Sequence, residues 1–130
     1  MTSVGAVILS FGHSPRFLGL LAEVTAVIDP SDVVVAHNPY SSEDAWLPNV
    51  PEGVRLIALP DNVGYGPAMN AGIGAVSSEW VMLLTHDAQL DRDQLRLLLR
   101  RCQDLAPDVG VAGSVASVSR RNSVVWLRDR

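Results

Sequence analysis

The stretch Val54–Thr85, VRLIALPDNVGYGPAMNAGIGAVSSEWVMLLT, decides how this chain folds. It opens and closes on short apolar runs, VRLIAL (54–59) and WVMLLT (80–85), which suit strands buried on both faces. Between them the glycines at 64 and 66 break any strand, and Pro67 suits the first turn of a helix running through AMNAGIGAV. Met69, Ile73 and Val76 give that helix an apolar stripe. Ala68, Ala71, Gly72 and Ala75 keep the rest of its surface small, so it can approach a sheet closely. Strand, join, helix and strand make a βαβ unit, for which parallel strands and a right-handed crossover are expected.

The same alternation continues outward. VGAVILSF (4–11) and DVVVAH (32–37) precede the unit and VGVAG (109–113) follows it, each reading as a buried strand. A first helix is expected from SPRFLGLLAEV, with Ser14 as cap, Pro15 in the first turn and Leu18, Leu21 and Ala22 toward one face. A third starts at Asp91, where Gln94 completes a capping box and Leu90 can pack on Leu95; Leu95, Leu98, Leu99 and Cys102 form its stripe. NPYSSEDAWLPNVPEG (38–53) reads as a loop with at most one helical turn around 42–47, Trp46 packing down over the domain. The expected fold is α/β: a Rossmann-like, mostly parallel sheet sandwiched by helices, forming one domain over residues 1–130.

Composition agrees. A chain of 130 residues, 48% hydrophobic and 18% charged, has material for one core. A net charge of -4 gives no footprint for nucleic acid. Cys102 is the single cysteine, which excludes an intrachain disulfide and a cysteine zinc site, and its setting LLLRRC is that of a buried helical residue. With neither a signal-peptide pattern nor an apolar run long enough to span a bilayer, a cytoplasmic protein is expected, with a partner as its route to any membrane surface.

In a parallel sheet, ligands meet the carboxyl ends of the strands. Ser10, Gly12 and His13 follow the first strand, His37 and Asn38 the second, Asp61 and Asn62 the third, His86 and Asp87 the fourth. Gly64 and Gly66 permit close approach of a ligand to backbone, and the helix that follows offers unpaired N–H groups to an anion. Asp61 can accept from a base or hydroxyl and Asn62 can donate and accept, although both also suit an Asx-turn. Asn70, inside a helix, is expected to fasten the neighbouring loop by a side-chain hydrogen bond. Asp87 suits either a hard divalent cation or the organisation of its own loop. His13, His37 and His86 share the predicted edge, but their spacing makes no zinc motif, and P-loop, GxGxxG and GxSxG signatures are absent.

DNVGYGPAMNAGIGAVSSEWVMLLTHDAQL (61–90) resembles the central signature of inverting family 2 glycosyltransferases of the GT-A fold, rhamnosyltransferase-like members especially. Asn62, Gly64, Tyr65, Gly66, Ala68, Asn70 and Gly72 match N-x-G-[YF]-[AGS]-x-[AG]-x-N-x-G, and THD (85–87) stands where a DxD-type metal motif follows. The resemblance implies a nucleoside-diphosphate sugar as donor, bound at this edge. Ser10 and Phe11 would lie near base or ribose, Asp61 and Asn62 near the base, His37, Gly64, Gly66 and His86 around the donor, and Asp87 on Mg2+ or Mn2+. The acceptor, a sugar, lipid-linked or small molecule, is unspecified.

Three departures accompany the match. His37 stands where the family has an Asp at the base, and Thr85 replaces the first carboxylate of the metal motif. SVVWLRDR (123–130) comes before any assignable general base, so the chain reads as the donor-binding part with the acceptor portion missing, its sheet edge open to self-association. The competing reading is a noncatalytic nucleotide-sugar-binding or protein-interaction domain derived from a glycosyltransferase.

Overall fold

The computed structural model describes residues 3–113 and 125–128. Its elements are β1 (Val4–Phe11), α1 (Phe17–Thr25), a single 3-10 turn (Pro30–Asp32), β2 (Val33–Asn38), β3 (Arg55–Ala58), α2 (Tyr65–Ile73), β4 (Trp80–Thr85), α3 (Arg92–Gln103), β5 (Val111–Gly113) and β6 (Val125–Arg128). They build one sheet in the order β3-β2-β1-β4-β6-β5. The first four neighbours run parallel, with Leu9 opposite Ala36 on one side and Thr85 on the other. β6 is antiparallel to both β4 and β5.

That strand is the main departure from the sequence expectation, which has five strands and none at 125–128. A four-residue run carries too little pattern to announce itself, and adjacency in a sheet is set by pairing partners rather than by chain order. The insertion of β6 leaves the four-residue β3 and the three-residue β5 as the sheet edges. Short edges of this kind are poor templates for edge-to-edge pairing.

Alternation along β1 sorts the core into two layers. Ala6 and Ile8 join Phe17, Leu20, Leu21 and Val24 of α1 and Leu95 and Cys102 of α3 on one face. Val7 and Leu9 join Ala68 and Met69 of α2 on the other. The two-residue period of a strand thus serves both covering layers at once. Among the described residues no helix is long and apolar enough to cross a membrane.

The helices follow their sequence signals unequally. α3 starts as read: Asp91 accepts from Gln94 N at 2.8 Å, and Gln94 Oε1 accepts from Asp91 N at 3.0 Å. Its first turn is tied to α1, since Glu23 accepts from Arg92 N at 2.7 Å and from Arg92 Nε at 3.1 Å. Those bonds hold the Glu23 carboxyl below its usual range. α1 begins later than expected. Ser14 makes no side-chain cap and, with Pro15, belongs to the turn before the helix. Its buried face is Phe17, Leu20, Leu21 and Val24, whereas Leu18 and Ala22 are exposed. Four apolar residues at i, i+3, i+4 and i+7 make a wider stripe than Leu18 offers, so the wider one turns inward.

α2 starts two residues before Pro67, capped by the backbone of Gly64. Gly64 has φ 84° and ψ 179°, a conformation that side-chain-bearing residues strongly avoid. The glycine therefore sets the angle at which the chain turns from the β3 edge into α2.

Candidate functional site at the carboxyl edge of the sheet

β1 to β4 are parallel, so Phe11, Asn38, Ala58 and Thr85 end on one edge. The chain moves from β1 outward to β2 and β3, then crosses back to β4 on the far side of β1. That reversal opens a crevice between the ends of β1 and β4, the usual position for a ligand in an open α/β sheet. The rings of Phe11 and His86 face across it with centroids 6.4 Å apart. Phe11 is 37% exposed and meets Tyr40 edge-on at 5.2 Å.

At the end of β4 the Thr85 hydroxyl donates to Asp87 Oδ1 at 2.9 Å. This orients a half-exposed carboxylate beside the crevice. His86 is half-buried, and burial holds its imidazole below the usual histidine range against the opposing charge of Asp87. Among the described residues no three His, Cys, Asp or Glu side chains gather as a metal-holding cluster.

Ser10 and His37, expected near the base, lie beneath the surface. They are 1% and 0% exposed, with Ser10 Oγ 2.9 Å from His37 Nδ1. Burial pushes the His37 imidazole below its usual range, against the pull of the Asp44 charge and the Trp46 carbonyl. The unfolded histidine takes a proton near pH 6.5 while the folded one stays neutral to lower pH, so this contribution to stability is complete above about 6.5 and is lost as pH falls. Thermal denaturation between pH 7 and 5 should show a declining melting temperature, with a shallower decline for His37→Gln. Parallel declines would exclude His37 as their source.

Asp61 and Asn62 are exposed and occupied locally. Asp61 Oδ1 accepts from Asn62 N at 2.7 Å, and Asn62 Oδ1 accepts from Gly64 N at 3.1 Å. Asn62 thus makes an Asx-turn, whereas the Asp61 bond reaches only the next residue, and both side chains stand at the rim. Gly64 and Gly66 are open, with no atom within 4 Å of where a Cβ would sit. Asn70 is exposed, and no side-chain bond from it fastens the loop.

Asn38 does that instead. It is 2% exposed; its Nδ2 donates to Gly64 O at 3.0 Å, and its Oδ1 accepts from Val63 N at 3.2 Å. One amide thereby ties the end of β2 to the glycine turn before α2. Asn38→Ala removes both part-buried bonds, at a cost of about 1–3 kcal/mol for the pair. Asn62→Ala, at an exposed position, should stay within about 0.5 kcal/mol of wild type. Urea denaturation of the two variants checks the contrast.

A second group was not legible as a site. His13 stacks between Tyr40 and Trp46, with centroids at 5.5 and 4.3 Å, and its Nε2 lies 3.2 Å from Asp44 Oδ2. Asp44 also accepts from Trp46 N at 3.2 Å, and these bonds, that from Trp46 foremost, hold its carboxyl low. Gly12, at φ 55°, makes room for this arrangement, since a Cβ there would overlap the Tyr40 ring. The available signal was two aromatics, Tyr40 and Trp46, in a loop otherwise polar, within a chain holding three Trp, two Tyr and two Phe.

Comparison with known proteins now bears on this geometry. The profile described as glycosyl transferase family 2 matches residues 24–130, most of the chain. The chain belongs to glycosyl transferase family 2. Within reach of this family-2 chain lies the succinoglycan biosynthesis protein ExoO of Rhizobium meliloti (strain 1021), 41% identical over 58 residues. That match takes in 45% of this chain and 17% of that protein. In three dimensions the family-2 chain is similar to a cytidylyltransferase from Leptospira borgpetersenii serovar Hardjo-bovis, with a TM-score of 0.65 at 15% identity. The superposition covers 98% of this chain and 61% of that one, a likeness of fold.

Proposed function

We propose that this chain forms the donor-binding side of a glycosyltransferase, holding a nucleoside-diphosphate sugar at the crevice between β1 and β4. The observation that carries the reading is Asp87, oriented by Thr85 next to the His86 that meets Phe11, at the switch point of a family-2 sheet. Phe11 offers a ring to base or ribose. The open backbone at Gly64, the cap of α2, and at Gly66 in its first turn suits the diphosphate.

In the proposed reaction an acceptor hydroxyl attacks the anomeric carbon opposite the nucleotide and gives up its proton to a general base. The bond from that carbon to the diphosphate oxygen breaks, its electron pair leaves with the nucleotide, and the centre inverts. The role of the chain is to orient the donor and screen the charge that develops on its diphosphate. A single carboxylate fits Mg2+ or Mn2+ when phosphate oxygens and water complete the shell, as such ions commonly accept. Such an ion would neutralise charge on the departing diphosphate, and Asp87 is the residue to hold it.

Titration of the folded chain with UDP-, dTDP- and GDP-sugars, dTDP-rhamnose included, tests the reading with and without Mn2+. Saturable binding of one class, strengthened by Mn2+, is expected; absence of binding to all of them overturns it. Thr85 in place of a first carboxylate favours a second reading, a domain that binds the donor without transferring it. Product formation with a full set of acceptors would exclude that alternative.

A further inference from the structure

Ser10 and His37 occupy the ground where the family likeness calls for contact with the nucleobase, yet Trp46 closes it off. The indole meets the His37 ring at 5.6 Å, inclined 65°, and stacks on His13 at 4.3 Å. Beneath it His37 Nε2 is fully buried and completes no hydrogen bond of good geometry, the pull of the Trp46 carbonyl on the ring stopping short of one. An unpaired buried nitrogen of this kind calls for an explanation. Its neighbour Nδ1 is already engaged by Ser10.

The cover is held by its stack on His13 and by the bond from Trp46 N to Asp44. Residues 44–50 form no regular element, and Trp46 is 40% exposed. Trp46 also lines an apolar cavity of about 330 Å3 together with His13, Phe17, Leu18, Leu47 and Pro48. A cavity of about 150 Å3 suffices for a benzene ring, so this one has room for an indole.

We propose that Trp46 is a stopper in the base subsite: a nucleobase displaces the indole into the adjoining cavity, inherits the stack on His13 and gives His37 Nε2 its missing partner. The inference rests on the donor-binding reading above. In the tautomer in which the Ser10 hydroxyl donates to Nδ1, Nε2 carries the proton and donates to a base carbonyl, as uracil, thymine and guanine present. His37 then recognises the base by donating, where the carboxylate expected from the family likeness would accept. A stopper closed about nine-tenths of the time weakens apparent affinity about tenfold.

Calorimetry with UDP, dTDP, GDP and base-free pyrophosphate, on wild type and Trp46→Ala, tests this. The expected result is about tenfold tighter binding of the preferred nucleoside diphosphate by the variant, with pyrophosphate unchanged. In a second measurement, the fluorescence that distinguishes wild type from Trp46→Phe should respond to the nucleoside diphosphate and not to pyrophosphate. Equal or weaker nucleotide binding by Trp46→Ala overturns the stopper while leaving donor binding intact, as does equal tightening of pyrophosphate. Failure of both proteins to bind any of the nucleotides overturns the donor reading and the stopper with it.

Discussion

Asp87→Asn is expected to abolish the Mn2+-dependent part of nucleotide binding and leave the fold unchanged. The substitution keeps shape and an oxygen that can accept from the Thr85 hydroxyl, now 2.9 Å away, so the turn after β4 retains its bond. What disappears is the negative charge. A cation held by one carboxylate and the donor's phosphates has no second protein anion to fall back on, because position 85 is threonine. Charge stabilisation by a metal ion amounts to several kcal/mol, so loss of its anchor should weaken nucleoside-diphosphate binding by about two orders of magnitude in Mn2+. Without Mn2+ the two proteins should bind within a few-fold of one another. Calorimetry in Mn2+ and in chelator reads both arms, and unchanged affinity in Mn2+ would assign Asp87 to loop organisation alone.

Gly72→Val should be among the most destabilising single changes in the chain. A Cβ at Gly72 would overlap Val7 Cγ1 and sit 3.2 Å from Cγ2. Val7 cannot retreat: it is 0% exposed, stiff at its branched carbon, and held in β1 between Val34 of β2 and Leu83 of β4. Helix propensity alone favours alanine over glycine by about 1 kcal/mol. Overpacking a closed core costs about 1–3 kcal/mol per such insertion, which is enough to reverse that sign for alanine. Valine adds two more methyl groups, and a loss of about 3–4 kcal/mol is expected, a large share of the 5–15 kcal/mol that typically holds a domain folded. Urea denaturation of Gly72→Ala and Gly72→Val gives the series; a stabilised Gly72→Ala would show that α2 lifts away from the sheet at no cost.

The site was legible in proportion to how local its geometry is. Asp61, Asn62 and Gly64 make a turn among themselves, and their residue types announce it. The Asp91 and Gln94 box is equally local and appears as read. Ser10 and His37 are 27 positions apart, and nothing in either segment tells that they bond to each other below the surface. Asn38 and Asn70 show the same limit from opposite sides. Both are asparagines beside the glycine turn, but only Asn38 points its amide at Val63 and Gly64, because β2 ends beside them.

The sequence by itself determined the α/β alternation, the four parallel strands and the edge on which the polar residues gather. Those follow from two-residue and 3.6-residue periodicities and from glycine, proline and capping chemistry, all short-range properties. The tertiary structure alone decided that β6 separates β4 from β5, that the wider face of α1 turns inward, and that Trp46 covers His37. Each of these depends on which distant segments compete for the same space, and on the free energy of closing the chain around them, neither of which is encoded in any one window of residues.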